Sequence, residues 1–221
     1  MRDESNVLGG PGITSINGVP GTLGCLAMTL NDQRLVFLTS HHVLFGAGAG
    51  EQAPVRLTAD GSLVARSRHG RCGTVRFDGT DVHVDCATAE LKDQAVPRGW
   101  RLVEDDLASV PPLANGNEVV KNGAGTGITH GIVLDTNHSE RIRIERRLLA
   151  TSRQILVEPR VPGARFTGVG DSGAALCDET GAVRGLLWGA DPRGYGLACP
   201  IAPVLYVLHI RLVRLVQEGA V

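Results

Sequence analysis

The sequence predicts an all-β protein built from closed antiparallel barrels, and three observations support this prediction. The chain has 221 residues, of which 43% are hydrophobic, so it can bury a sizeable core. Its 29 glycines and 11 prolines favour short strands joined by tight turns. Short apolar runs recur along most of the chain, at a spacing typical of barrels that close to hide their edge strands.

The predicted strands form two sets. We expect a first barrel over residues 21–108 and a second over residues 117–202. Residues 109–116, which include two consecutive prolines, are the predicted linker between them. Residues 1–20 are punctuated by glycine and proline, and we expect them to cover the surface.

A change of period marks the end of the chain. Within residues 203–217, one helical face collects the apolar side chains Val204, Leu205, Leu208, Leu212, Leu215 and Val216. Pro203 suits a first helical turn and Gly219 suits a stop. The sequence therefore predicts a C-terminal helix within residues 203–221.

Composition narrows the possible partners and location. The formal net charge of −1 gives no general attraction to nucleic acid or to an anionic membrane. No apolar run is long enough for a transmembrane helix, and the first residues lack the apolar core of a secretory signal. Four of the five cysteines, Cys25, Cys86, Cys177 and Cys199, lie among apolar residues like small core thiols. We therefore expect mostly reduced cysteines and a cytoplasmic protein.

The most informative motif is Gly170-Asp171-Ser172-Gly173. A serine flanked by glycines can sit on a tight turn with its hydroxyl exposed. The backbone N–H groups of Gly170 and Ser172 can then point into one small space, as an oxyanion hole for acyl transfer requires. Ser172 is the candidate nucleophile.

A serine nucleophile needs a base and an orienting acid. Thr39-Ser40-His41-His42 follows the apolar run Leu35–Leu38, so histidine is expected in a polar turn at the end of a buried strand. Asp85 opens the alternating segment Asp85–Leu91. The chain order of histidine, aspartate and serine is that of chymotrypsin-type triads.

Several segments resemble the chymotrypsin-fold, or trypsin-like, serine peptidases of the compact bacterial kind. Together they span most of the chain, in the right order. The matching segments are Thr39–Val43, Asp85–Leu91, Gly170–Gly173, Gly185–Gly189, Lys121–Gly123, Thr126–Gly131, Ala198–Ile201 and Val204–Leu205.

The resemblance implies two antiparallel six-stranded β-barrels followed by a C-terminal helix. It implies a serine endopeptidase with His42 as base, Asp85 as orienting acid and Ser172 as nucleophile, acting on protein or peptide substrates without a cofactor or metal. The alternative is a catalytically idle module of the same fold that binds a peptide or a partner protein.

The resemblance also implies a substrate pocket. In the family, the residue six positions before the nucleophile lies at the base of the primary pocket, and here it is Phe166, followed by Thr167. The wall strand is Leu187-Trp188-Gly189-Ala190. Because none of these residues carries a carboxylate, we expect small or medium apolar P1 residues to be preferred over Lys or Arg. If the loop is one residue longer than in the family, Arg165 would reach the floor and favour an acidic P1 residue.

Other interpretations remain open for some of these residues. His41 is the competing base and Asp81 the competing acid. Asp81, His83 and Asp85 share one face of a strand and could form a metal site with the histidine pair. Val7 could become a new N-terminus that pairs with Asp171 after proteolytic activation. The alternating arginines Arg141, Arg143, Arg146 and Arg147 indicate a solvated strand face, or else a site for acidic substrates.

Overall fold

The structure is a computed structural model that describes residues 9–144 and 147–219, with side chains outside residues 141–150. Most of these residues belong to β-strands, which form one nine-stranded sheet and one closed barrel. The prediction of an all-β fold is therefore confirmed.

The nine-stranded sheet carries the histidine and aspartate candidates. Its strand order is β2-β1-β5-β6-β7-β4-β3-β15-β8. The strands are β1 Gly12–Thr14, β2 Pro20–Thr22, β3 Leu26–Thr29, β4 Leu35–Thr39, β5 Pro54–Leu57, β6 Leu63–Phe77, β7 Thr80–Leu91, β8 Trp100–Glu104 and β15 Ile210–Gln217. All neighbours in this sheet pair antiparallel.

The second unit is a closed six-stranded barrel, ordered β10-β11-β14-β13-β12-β9. Its strands are β9 Glu118–Gly123, β10 Gly127–Ile144, β11 Arg147–Pro159, β12 Ala175–Asp178, β13 Val183–Ala190 and β14 Gly196–Pro200. Because the barrel is closed, β9 pairs with β10 on one side and with β12 on the other. The barrel therefore has no edge strand.

Three hydrophobic clusters hold these units together. One fills the barrel and includes Val157 and Phe166, and a second lies under the nine-stranded sheet around Phe37. The third joins side chains from both units, among them Val84 of β7 and Leu186 of β13. Because apolar burial is the main favourable term in folding, this shared cluster fixes one unit against the other and so positions the cleft between them.

The start of the described chain differs from the prediction of a surface segment. Strand β1 pairs with β5, and the Ile13 side chain is completely buried. A single apolar residue between Gly12 and Thr14 is too short a pattern to predict a strand from the sequence. It becomes a strand because β5 offers it a partner.

The prediction of a helix throughout residues 203–217 is wrong in its extent. Helix α2 covers only Ile201–Leu208, and His209 ends it with a left-handed backbone, φ 51°. The following residues form β15, which pairs with β3 on one side and β8 on the other. Leucine and valine fit both periods, and the ladder on both edges of β15 favours the strand.

The only other α-helix in the described residues is α1, His41–Phe45. It follows β4 directly and carries the two adjacent histidines. None of the described helices is long and apolar enough to span a bilayer.

Candidate active site

The end of β4 places the two histidines at the start of α1. The fully buried Ser40 does not cap the helix with its side chain; its hydroxyl instead donates to the Leu187 carbonyl, 3.1 Å away. The Asn17 amide reaches the same helix from before β2 and donates to the carbonyls of His42 and Val43 at 3.3 and 3.0 Å. These bonds tie the short helix to both the barrel and the N-terminal segment.

His42 and Asp85 form a close pair. The distance from His42 Nδ1 to Asp85 Oδ2 is 2.8 Å, and the His42 backbone N–H donates to Asp85 Oδ1 at 3.2 Å. Two bonds from one residue orient the carboxylate and fix which ring nitrogen faces it. The other nitrogen, Nε2, makes no hydrogen bond within the described residues, and the side chain is 37% exposed.

Burial and charge act in opposite directions on this pair. Burial acts to raise the pKa of Asp85, but the hydrogen bond and charge of His42 outweigh it, and the net pKa is below the usual range. Burial acts to lower the pKa of His42, but the hydrogen bond and charge of Asp85 outweigh it, and the net pKa is raised. The carboxylate is therefore ionised at neutral pH, next to an imidazole of increased basicity.

The serine loop, residues Gly170–Gly173, packs against the end of β4. Gly173 has a φ of +94°, and a Cβ atom added there would lie 2.1 Å from Thr39 Oγ1, so only glycine fits. The Thr22 N–H donates to the Ser172 carbonyl at 2.8 Å, and Thr22 Oγ1 donates to the Gly170 carbonyl at 2.7 Å. Ser172 is thereby held beside the strand that leads into the histidine helix.

The Ser172 side chain is half-buried, and its hydroxyl points toward β13. Ser172 Oγ donates to the Trp188 carbonyl at 3.3 Å, and among the described residues it makes no hydrogen bond to His42. The N–H groups of Gly170 and Ser172 donate to no protein acceptor within the same residues. Gly170 has a φ of +96°, which turns this peptide in a way that a side chain would disfavour. Two unused donors beside one hydroxyl form a site suited to an oxyanion.

Asp171 anchors the serine loop to the barrel through a buried ion pair. Lys121 Nζ lies 2.8 Å from Asp171 Oδ2, and both side chains are completely inaccessible. The N–H groups of Gly125 and Thr126 donate to Oδ1, and that of Gly168 donates to Oδ2. Burial acts to raise the pKa of Asp171, but the bonds from Lys121 and Thr126 outweigh it and the net pKa is lowered.

This arrangement bears on proteolytic activation. Such activation would need a new ammonium group to reach Asp171, yet Lys121 already supplies its cation from inside the chain. Val7 itself lies outside the described residues.

The predicted pocket residues lie in one region, but Phe166 does not line the floor of an open substrate pocket. Its ring is completely buried in the barrel core, where Cβ atoms added to Gly131 and Gly196 would lie 2.9 and 2.5 Å from it. Thr167, Leu187 and Trp188 are also buried, whereas Gly189 is half-buried and Ala190 is exposed. Phe166 therefore fills the space that an open pocket would need, because the two glycines leave room for its ring inside the barrel.

Arg165 lies on the outer side of the same loop. Its aliphatic chain packs on Gly194, with Cγ 3.1 Å from the position of a Cβ atom there. The side chain lines a surface cavity of about 330 Å³ with Thr129 and Arg160. It is exposed, while its neighbour Phe166 points inward.

The competing candidates lie elsewhere. Asp81 forms an exposed ion pair with Arg76 at 3.0 Å and makes no contact with either helix histidine in the described structure. The His41 ring stacks on Phe45, with the ring centroids 5.3 Å apart. No group of three or more metal-ligating side chains comes together in the part of the chain that the structure describes.

The cysteines surround the site without forming it. Cys25, Cys86, Cys177 and Cys199 are buried, and Cys72 is exposed. Cys199 Sγ accepts a hydrogen bond from the Asp85 N–H at 3.2 Å. Partial desolvation by its surroundings, and then the charge of Asp85, raise the pKa of the Cys72 thiol to about 11, so this cysteine is a weak nucleophile although its side chain is accessible.

Sequence reasoning missed three residues that hold the site: Asn17, Thr22 and Lys121. Only Lys121 carried a usable signal, because Val119, Lys121 and Gly123 alternate onto the inner face of β9. A lysine on the inner face of a barrel requires a buried acid. The roles of Asn17 and Thr22 depend on distant carbonyls that no sequence pattern reveals.

Comparison with known proteins supports the fold through structure alone. No protein-family model matches the chain, and no curated protein matches its sequence. Solved structures match over 93% of the chain: a glutamic acid specific serine protease, described as using a histidine triad in substrate binding, has 18% identity and a TM-score of 0.62 over 100% of its length. Nocardiopsis protease has 17% identity and a TM-score of 0.58 over 98% of its length, and Cellulomonas bogoriensis chymotrypsin has 16% and 0.59 over 97%. The chain therefore has the fold of the chymotrypsin-type bacterial serine proteases, with a nine-stranded sheet where the first six-stranded barrel was predicted.

Proposed function

We propose that this protein is a serine endopeptidase that cleaves peptide bonds through an acyl-enzyme intermediate. The observation that carries the proposal is the 2.8 Å pair of His42 and Asp85, held beside a glycine-flanked serine with two unused N–H donors. The fold is shared with serine proteases, and proteins or peptides are the substrates that this site suits.

The first chemical step is attack by Ser172 on the scissile carbonyl. Its hydroxyl rotates away from the Trp188 carbonyl toward His42, whose Nε2 takes the proton as the Oγ–carbon bond forms. Asp85 keeps the ring in the required tautomer and stabilises the imidazolium. His42 then gives the same proton to the leaving amine, and the C–N bond breaks.

Backbone donors stabilise the charge that develops on the carbonyl oxygen. The Gly170 and Ser172 N–H groups receive the oxyanion, a contribution of about 3–4 kcal/mol for one such donor in comparable sites. Water, activated by His42 in the same way, attacks the acyl-enzyme and releases the second product. No step requires a cofactor.

The test is labelling by a fluorophosphonate probe and turnover of a peptide library. Ser172→Ala should abolish labelling and lower turnover by several orders of magnitude while circular dichroism stays unchanged, because triad members act as a unit. His42→Ala should behave in the same way.

The matched controls are His41→Ala and Asp81→Asn, which should keep most of the activity, whereas Asp85→Asn should lose most of it. A labelled Ser172→Ala variant would refute the nucleophile. A wild-type protein that neither labels nor cleaves any library member, but binds peptides, would favour an idle module instead.

A further inference from the structure

His83 is a histidine outside the proposed triad, and it lies on the strand that also carries Asp85. It lies on β7 between Val82 and Val84, and its side chain is completely buried. Within the described residues, neither Nδ1 nor Nε2 has a hydrogen-bond partner. Buried polar atoms are nearly always paired, so this imidazole calls for an explanation.

The partners of His83 belong to a cluster that spans three strands. Its ring packs on the Trp188 indole of β13, with centroids 5.6 Å apart and planes tilted by 58°. The Trp188 indole N–H donates to Gln154 Oε1 at 2.7 Å. Gln154, on β11, donates from Nε2 to the His83 carbonyl at 2.8 Å. The three residues thus form a closed ring of contacts between the sheet and the barrel.

This cluster supports the strand on which the serine rests. The Trp188 carbonyl accepts the Ser172 hydroxyl, and its indole is buried in the cluster shared by both units, where His83 contacts its ring and Gln154 accepts its N–H. The residue whose indole contacts His83 therefore also supplies the carbonyl that accepts the Ser172 hydroxyl.

Only a neutral imidazole fits this position. Across β6, Thr74 stands opposite His83, and the facing groups on β11 and β13 are an amide and an indole, all uncharged. Among the described residues, the charge that acts on His83 is that of Asp85, which is already bonded to His42. An imidazolium here would have two N–H donors without acceptors, in a position closed to water.

We propose that His83 is a positioning residue that holds the substrate strand β13 through Trp188 while its ring is neutral, and that protonation of the ring releases this strand. The effect on catalysis rests on the proposed peptidase function, but the release of Trp188 does not. Burial is the main cause that lowers the pKa of His83 below that of an ordinary histidine, and the opposing effect of Asp85 is smaller. We therefore expect the release of β13 at mildly acidic pH.

The sign of the linked stability follows from that direction. As pH falls below the ordinary histidine value of about 6.5, the unfolded chain takes up a proton at His83 and the folded chain does not. The folded state then loses stability progressively until the folded pKa is reached, and above about pH 6.5 this group has no effect.

Tryptophan fluorescence tests the proposal without any need for activity. The chain has two tryptophans, and Trp100→Phe leaves Trp188 as the only indole. We expect its emission to change reversibly between about pH 8 and about pH 5, with a midpoint below that of free histidine, because a protonated imidazole quenches a contacting indole or releases it. Emission that stays constant over this range would overturn the proposal.

Variants of His83 separate positioning from simple packing. His83→Phe in the Trp100→Phe background keeps an aromatic ring against Trp188 but cannot titrate, so the emission step should disappear. His69→Phe is the matched control, since His69 is an exposed histidine of β6 that lies near Glu51, and it should leave the step unchanged. A step that survives His83→Phe would also overturn the proposal. If His83→Phe does not fold, the titration of the Trp100→Phe protein decides alone.

Kinetics then tests the link to the substrate. In otherwise wild-type protein, His83→Ala should raise KM for peptides about tenfold with a smaller change in kcat, whereas His83→Phe should retain the wild-type values at neutral pH. Loss of kcat with unchanged KM in His83→Ala would contradict positioning through the substrate strand. If the protein is no peptidase, the emission step remains and only this last measurement fails.

Discussion

At the scale of single residues, the candidate pocket is notable for its chemistry. Phe166 fills the barrel interior, and the predicted pocket residues Phe166, Thr167 and Leu187–Ala190 carry no carboxylate; the nearby buried Asp191 is already paired with Arg193. A lysine or arginine side chain of a substrate would lose its hydration there without gaining a partner. We therefore predict cleavage after small or medium apolar residues, with kcat/KM at least about a hundredfold higher than after Lys or Arg.

A chromogenic panel with Ala, Val, Leu, Phe, Glu and Arg at P1 measures this preference. Dominant cleavage after Arg would contradict the prediction. Dominant cleavage after Glu would implicate Arg165 on the outer side of the loop, and Arg165→Gln would then have to abolish that preference. If Arg165 has no such role, the same variant leaves the panel unchanged.

At the scale of elements, Lys121 joins β9 to the serine loop. Its ammonium group is the buried cation that faces Asp171, and removing it would leave an uncompensated carboxylate inside the protein. Breaking such a pair costs about 3–5 kcal/mol. We predict that Lys121→Met lowers the free energy of unfolding by about this amount and lowers kcat, because the loop also carries the Gly170 N–H.

Urea unfolding and turnover of one peptide substrate measure both effects. The matched control is Arg160→Met, which removes an exposed ion pair with Glu118 from the same barrel and should cost less than about 1 kcal/mol. Equal losses in the two variants would show that the buried pair has no special role. A Lys121→Met protein with full activity would show that the serine loop holds its shape without the anchor.

At the scale of the whole molecule, activity and stability should respond to pH in opposite directions above about pH 6.5, where His83 no longer contributes. His42 must be neutral to accept a proton, so kcat/KM should rise with pH through its folded pKa, which lies above the ordinary histidine value. The stability that comes from its pairing with Asp85 is fully present below about pH 6.5 and is lost as pH rises through the same folded pKa. Above about pH 6.5, kcat/KM should therefore rise while the stability contributed by this pair falls.

Parallel pH profiles of kcat/KM and of urea midpoints test this prediction. The control is Asp85→Asn, which removes the charge that raises the pKa of His42. In this variant the alkaline loss of stability should vanish, and the remaining activity should reach its plateau at lower pH. Profiles that rise together above about pH 6.5 in the wild-type protein would contradict the coupling.

Local patterns were enough to predict an all-β fold and to identify the main site residues as candidates. The apolar run before His42, the alternation after Asp85 and the glycines around Ser172 each depend on neighbours in the chain, and they predicted the fold class that the structure confirms. The same local reasoning failed at Ile210–Gln217, where leucines and valines fit a helix and a strand equally well. There the open edges of β3 and β8 favoured the strand, and no residue nearby in sequence carries that information.

Tertiary structure alone decided which polar groups meet inside the protein. Lys121 reaches Asp171, Thr22 reaches the serine loop, and His83 is enclosed by Trp188 and Gln154, all through contacts between residues far apart in the chain. A buried charge or imidazole is tolerated according to what faces it, and the facing group is chosen by strand order and register. The sequence by itself determined which side chains could do chemistry, whereas the packing of the sheet against the barrel determined their surroundings, because the energy of a buried polar group depends on its neighbours in space.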